Sequence, residues 1–289
     1  MNTTVYPFHI GTIECTIISD GSFAYPQPGQ LFFDEVPVQQ LNAALTEHTI
    51  DPTTWESYLS PYPSLLIKSG ERLILVDTGA GTLAPTTGQL LSNLRAVGVT
   101  PEEIDTVVLT HGHADHIGGN LDSTGQVAYP NARWIMSCAE WDYWAADPDL
   151  AEFKAAMFIE PLRSIARTQL PPIQARLTLV DDGAEIAPGV QAVTAPGHTP
   201  GHIALRIVSA SEQLLWAVDT CIHPIHVEQP DWVSKVDHLP QETVITRRKL
   251  LGQAAVDGAL VHFYHFPFPG LGHVTLHDGS WRWQPTDYP

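Results

Sequence analysis

The chain has 289 residues, 44% hydrophobic and 16% charged, and 32 acidic against 14 basic side chains give a formal charge of −18. Lys and Arg are too scarce to hold a phosphate backbone, and no apolar run approaches the roughly 20 residues of a membrane span, so neither nucleic acid nor a bilayer is an expected partner. Three widely spaced cysteines (Cys15, Cys138, Cys221) form no disulfide framework, and the N-terminus lacks a basic start followed by an apolar stretch; a globular, cytoplasmic protein is predicted.

Residues 1–63 read as an irregular arm packed on a single domain spanning 1–289. Within the arm, Ser22–Pro63 is rich in Pro and aromatics without clear periodicity, which suits a dimer contact or a lid over a pocket. Leu65–Asp77 is two apolar runs around a Ser-Gly turn, hence a hairpin, ending in the turn cluster Asp77-Thr78-Gly79. Helical spacing follows over Gln89–Val97, then a short buried strand at Thr106–Leu109. A strand at Arg133–Ser137 leads to a helix over Ala139–Ala145 and a longer one across Leu150–Thr168. Strand-like runs at Leu177–Val180, Gln191–Thr194, His202–Val208 and Gln213–Val218 precede a helix from Gln241 to about Val256. Strands at Ala259–Tyr264, Val274–Leu276 and Ser280–Trp283 close the chain. Grouped strands with helices between the groups predict an α+β fold, two sheets face to face with helices outside, as a four-layer αββα sandwich. The order hairpin, helix, strand, helix occurs in both halves and suits an old duplication.

Chemistry concentrates directly after the strand at Thr106–Leu109. Thr110-His111-Gly112-His113-Ala114-Asp115-His116 places three histidines and a carboxylate within seven residues. A Gly-containing turn leaving a strand can aim several successive side chains at one spot. Imidazole and carboxylate together suit zinc, manganese, iron or cobalt. Three later residues also stand at strand ends: His198, Asp219 and His265. A lone histidine is more often structural, but four strands each delivering ligands at one edge is how a fold assembles a metal site.

These motifs resemble the metallo-β-lactamase superfamily, over about Pro63 to His277. His111, His113, Asp115 and His116 match its HxHxDH motif; His198, Asp219 and His265 match its remaining ligand motifs; Asp77 matches its strand-end aspartate. Ile18–Phe23, Pro130–Trp144 and His265–Val274 are similar to the branch that holds methyl parathion hydrolase and related lactonases. The resemblance implies His111, His113 and His198 around one divalent ion, Asp115, His116 and His265 around a second, and Asp219 bridging them with a hydroxide. Asp77 is then a support for a ligand loop. Two departures stand out: Val218 occupies a position where the family usually has Gly, and no Tyr follows the bridging aspartate in Thr220-Cys221-Ile222-His223. Cys221 reads as a small buried thiol.

The expected activity is hydrolysis of an ester-like bond (a lactone, aryl ester or phosphotriester) with two ions, zinc foremost, activating the water. Asp115, Asp219 and His223 are the candidate catalytic residues, and His202 is a candidate support for the His198 loop. His9, His48, His238, His262, His273 and His277 read as structural or solvated. Phe23, Trp141, Trp144, Phe158, Phe266 and Phe268 are expected to wall a pocket for a small, neutral or weakly charged, partly apolar substrate. A β-lactamase, a thioester hydrolase and a non-catalytic metal-binding protein are the rival readings.

Overall fold

The computed structural model describes residues 4–286. Two seven-stranded mixed sheets are each built in chain order. The first runs β1 (Val5–Ile10), β2 (Ile13–Pro26), β3 (Ser57–Ser69), β4 (Arg72–Val76), β5 (Thr106–Val108), β6 (Arg133–Ser137) and β7 (Leu177–Val180). The second holds β8 (Glu185–Ala187), β9 (Val190–Thr194), β10 (Ile203–Ser209), β11 (Glu212–Val218), β12 (Leu260–Phe263), β13 (Leu271–His277) and β14 (Ser280–Pro285). Among the described residues eight α-helices accompany them: α1 (Pro28–Phe32), α2 (Val38–Glu47), α3 (Leu90–Ala96), α4 (Ala114–Ile117), α5 (Cys138–Ala145), α6 (Ile159–Gln169), α7 (Ile225–Glu228) and α8 (Pro240–Asp257).

The main core lies between the sheets, where Ile17, Leu65, Ile67 and Val107 of the first meet Leu205, Ile207 and Trp216 of the second, all excluded from solvent. A smaller core forms where α8 covers the outer face of the second sheet. Leu250, Leu251 and Ala254, at helical spacing, pack there with Ala204, Leu215, Val261 and Phe263. Pro240 opens that helix, and Gly258, at φ 62°, closes it in the left-handed conformation that glycine takes freely. The result is the four-layer αββα sandwich of an α+β protein.

Two expectations are corrected. The segment read as an irregular arm forms β1, β2, α1, α2 and most of β3. Its pattern is hidden because β2 breaks register between Ser19 and Ser22, and because Pro26, Pro61 and Pro63 look like strand breakers. The proline at 61 is tolerated because β4 pairs only with Leu65–Ser69, leaving that end of β3 without a neighbour on its other side. The long helix expected over Leu150–Thr168 begins only at Ile159; turns and a short 3₁₀ segment at Ala156–Phe158 precede it. The hairpin expected over Leu65–Asp77 is present as β3–β4, although β3 begins eight residues earlier, at Ser57; the runs that became β5, β6, β7, β9, β10, β11 and α8 stand within a residue or two of their expected bounds.

Candidate metal centre

Seven side chains converge where the two sheets meet. From the first half come His111 and His113, on the turn after β5, and Asp115 and His116, on the single turn of α4. From the second half come His198 on the loop after β9, Asp219 at the end of β11, and His265 just beyond β12. Potential ligand atoms of His111, His113, His198 and Asp219 all lie within 4.8 Å of one another, and those of Asp115, His116 and His265 form a second such group. One carboxylate oxygen, Asp219 Oδ2, joins the groups. It lies 3.8 Å from His111 Nε2, 3.2 Å from His198 Nε2, 3.4 Å from His116 Nε2 and 3.0 Å from His265 Nε2.

The outer nitrogens of these rings are held, which fixes what the inner ones present. His116 Nδ1 donates to Asp77 Oδ2 at 2.8 Å, and His198 Nδ1 to Asp237 Oδ1 at 3.0 Å. His265 Nδ1 shares a 2.8 Å hydrogen bond with Ser60 Oγ, while Tyr58 donates to the His265 carbonyl. Thr110 Oγ1 donates to Asp77 Oδ2 and so is left to accept from His111 Nδ1, 3.2 Å away. His113 Nε2 meets His238 Nε2 at 2.9 Å, and His238 Nδ1 meets the Tyr143 hydroxyl at 2.9 Å. His202 takes its own place: Nδ1 donates to the Ala195 carbonyl and Nε2 accepts from the Asp219 amide. Burial pushes His202 down to about 3, so it stays neutral and keeps both roles.

That arrangement fits cations. His113 Nδ1 and His198 Nε2 face each other at hydrogen-bonding distance, 2.9 Å. His111 Nε2, His116 Nε2 and Asp219 Oδ1 are buried without a hydrogen-bonding partner among the described residues. Burial foremost, then neighbouring imidazoles, push His111 and His113 well below the usual histidine range. At His116 and His198 burial is outweighed by the Asp219 carboxylate, which holds His116 well above the usual histidine range and raises His198 to about 9, so a bound cation would displace a proton there. Imidazoles and a carboxylate facing inward are the donor set of a site for borderline divalent ions.

Two buried carboxylates brace the ligand turns. Asp77, at φ 60°, accepts from the Thr110 amide and hydroxyl as well as from His116. Glu140 of α5 accepts from the Gly112 amide and Trp144 Nε1 through one oxygen, and from Thr199 Oγ1 and the Gly201 amide through the other, all at 2.7–2.9 Å. It thereby ties the His111–His113 turn to the His198 loop. Gly112 is required there, since a Cβ would lie 2.2 Å from Trp144 Nε1. Val218 takes φ 51°, a costly left-handed conformation for a β-branched residue, immediately before Asp219.

Above the cluster opens a cavity of about 280 Å³ with His113, Asp115, His198, Asp219 and His265 on its floor. Phe23, Tyr25 and Phe32 from the N-terminal segment, Tyr62 of β3, Phe153, Met157 and Phe158 before α6, and Ile222 beyond Asp219 wall it, and among the described residues no Lys or Arg lines it. The N-terminal segment therefore walls the pocket.

Of the expected pocket residues, Phe23 and Phe158 line the cavity and four do not. Trp144 is buried beneath His113 with its indole nitrogen on Glu140. Trp141 and Phe268 pack on the core away from the cavity, and Phe266 is buried against Phe263 and Trp283 in the smaller core. His223, expected at the reaction, is also outside the cavity. It is buried among Phe33, Trp55 and Tyr58, because the chain turns into α7 directly after Ile222. Cys221 is a buried thiol in the smaller core. Sequence reasoning missed Ser60, Asp237 and Glu140; His238, read as structural or solvated, is a buried partner of His113.

Comparison with known proteins agrees with this geometry. An N-acyl homoserine lactonase of Bacillus cereus is 29% identical over 172 residues, 52% of this chain and 59% of the relative. A beta-lactamase-like protein 2 homolog of Caenorhabditis elegans is 28% identical over 193 residues, 64% of this chain and 52% of the relative. The chain thus spans little more than half the length of these curated relatives. Among solved structures, AidC, a dizinc quorum-quenching lactonase in complex with a product, N-hexanoyl-L-homoserine, superposes with a TM-score of 0.87 at 29% identity, covering 99% of this chain and 98% of that one. The hydrolase AbOPH of the beta lactamase superfamily gives 0.89 at 28% identity, covering 100% and 99%. The profile of the Metallo-beta-lactamase superfamily matches residues 58–283, from β3 through β14 and across all seven converging side chains; the chain belongs to that superfamily.

Proposed function

We propose that this protein is a dinuclear metal-dependent hydrolase that opens lactones or cleaves related ester-like bonds in small, partly apolar molecules. The observation that carries the reading is Asp219 Oδ2 within 3.0–3.8 Å of four inward ring nitrogens drawn from both groups, on the floor of an aromatic cavity. His111, His113 and His198 would hold one ion, Asp115, His116 and His265 the other, with Asp219 shared. Such ions lower the pKa of a bound water and polarise the oxygen of the bond under attack. Zinc suits the donors and is the metal of AidC; manganese, iron and cobalt accept the same donors.

The chain's own residues supply the rest. Asp77, Asp237, Ser60 and Thr110 fix ring orientation, so that each inner nitrogen is aimed at the position of an ion. Asp115, with His265 Nε2 3.6 Å away, faces the cavity, as Asp219 does, and belongs to the ligand set. Aromatic walls exclude water and bury an acyl or aryl group, and the lack of Lys and Arg disfavours phosphorylated or strongly acidic substrates. A lactone is favoured over the other ester-like bonds by the likeness to AidC and to the Bacillus lactonases.

Metal analysis with a panel of lactones, aryl esters, organophosphate triesters, nitrocefin and a glutathione thioester tests this reading. Two equivalents of metal and turnover of a lactone or aryl ester are expected. Turnover restricted to nitrocefin, to the thioester or to phosphorylated sugars refutes the substrate class; protein that takes up no metal refutes the mechanism.

A further inference from the structure

Tyr25 of β2 and Tyr62 of β3 reach the same side of the cavity, and their hydroxyls lie 2.8 Å apart. Both are nearly excluded from solvent, at 8% and 2% exposure. Their rings stand edge-on to His265, each with centroids 5.9 Å away. The pair therefore adjoins the Asp115–His265 side of the metal centre.

The proton count at this pair is unbalanced. Each phenol carries one O–H, protonated at neutral pH. The contact between them uses one proton, whichever tyrosine donates. No other hydrogen bond from either hydroxyl is present among the described residues. One phenolic proton is thus left over on a buried pair whose open side is the cavity. A buried donor is stable only when it finds an acceptor. The rings Phe23, Phe32 and Phe158 around Tyr25 are hydrocarbon, and Tyr264, stacked on Tyr62, has its hydroxyl donating to the Asp115 carbonyl.

We propose that the Tyr25–Tyr62 pair is a substrate-positioning donor, giving its spare proton to an oxygen of the ester-like group, or of the product it yields, on the Asp115–His265 side of the cavity. This rests on the hydrolase reading above and names a polar contact that the ligand set does not contain. Because the two hydroxyls share one internal bond, either can supply the spare proton when the other is removed.

Tyr25→Phe, Tyr62→Phe and the double variant keep the rings and their packing. Their affinity for the ring-opened product N-hexanoyl-L-homoserine, read by calorimetry on metal-loaded protein, needs no turnover. Each single variant is expected to bind within about threefold of the native protein and the double variant at least about tenfold more weakly, with metal content unchanged in all four. That non-additive pattern is the signature of one shared proton, and two hydroxyls with separate structural roles do not produce it. Additive losses, a double variant that binds as the native protein does, loss of metal in the double variant, or a native protein that does not bind the product each overturn the proposal. Product binding that depends on both hydroxyls, in a protein that turns over nothing in the panel, removes the hydrolase reading and leaves the donor in place.

Discussion

Replacing Glu140 by Gln changes one oxygen to an amino group and leaves size and shape alone. The native carboxylate receives four donors, two on each oxygen. An amino group facing Gly112 and Trp144 would oppose two fixed N–H donors. Facing Thr199 and Gly201, it would oppose only one, since the Thr199 hydroxyl can turn and accept. The second orientation is the cheaper, and it still leaves the Gly201 amide buried without an acceptor and weakens the bonds that remain by removing the charge. Hydrogen bonds to charged groups contribute about 1.5–3 kcal/mol each and an orphaned buried donor costs about 1–3 kcal/mol. Relief of the burial that raises this carboxyl's pKa offsets part of the loss. A net destabilisation of about 2–4 kcal/mol is expected in urea unfolding of Glu140→Gln. The same change loosens the tie between the His111–His113 turn and the His198 loop, so zinc affinity by chelator competition should fall about 10–100-fold. A variant within about 0.5 kcal/mol of the native protein with unchanged zinc affinity would refute the bracing role.

Asp219→Ala removes the oxygen common to both groups and should lower metal content and kcat/KM together, the latter by at least about 100-fold; near-normal turnover with two bound ions would contradict the shared position. Asp115→Ala should empty chiefly the Asp115–His116–His265 position, and retention of both ions by metal analysis would mean the partition is wrong. Burial pushes His223 from 6.5 down to about 3. Its depressed value means that the unfolded chain takes up a proton below pH 6.5 while the folded protein does not. This residue's contribution to stability is therefore intact above pH 6.5 and is lost as pH falls toward 3, by up to about 1.4 kcal/mol per pH unit. His223→Asn should flatten the pH dependence of unfolding free energy between 6 and 4.5 by about that slope; an unchanged slope would show that the ring is not the proton acceptor.

How much of this could be read beforehand depends on range. Ligand-type residues at strand ends are local signals, so His111, His113, Asp115, His116, His198, Asp219 and His265 stand out in the sequence and meet in space. Strands with alternating or continuous apolar runs are equally visible. The supports of the site are not local. Ser60 reaches His265 across 205 positions, and Glu140 meets Gly112 and Gly201 across 28 and 61. Nothing in a Ser or a Glu announces such a partner. Pocket walls failed for a related reason. An aromatic near a motif in sequence turns inward or outward with the local backbone, so Phe266 one residue beyond His265 enters the smaller core, while Tyr25 and Tyr62, far from every ligand motif, line the cavity.

Each sheet is assembled from one uninterrupted half of the chain, β1–β7 and then β8–β14. Four of the seven converging side chains belong to the first half and three to the second. A bound ion would therefore act as a rivet between two separately woven pieces, and the free energy of holding them together would grow with the logarithm of free metal concentration. Starved of metal, the joint is where such a molecule would begin to part.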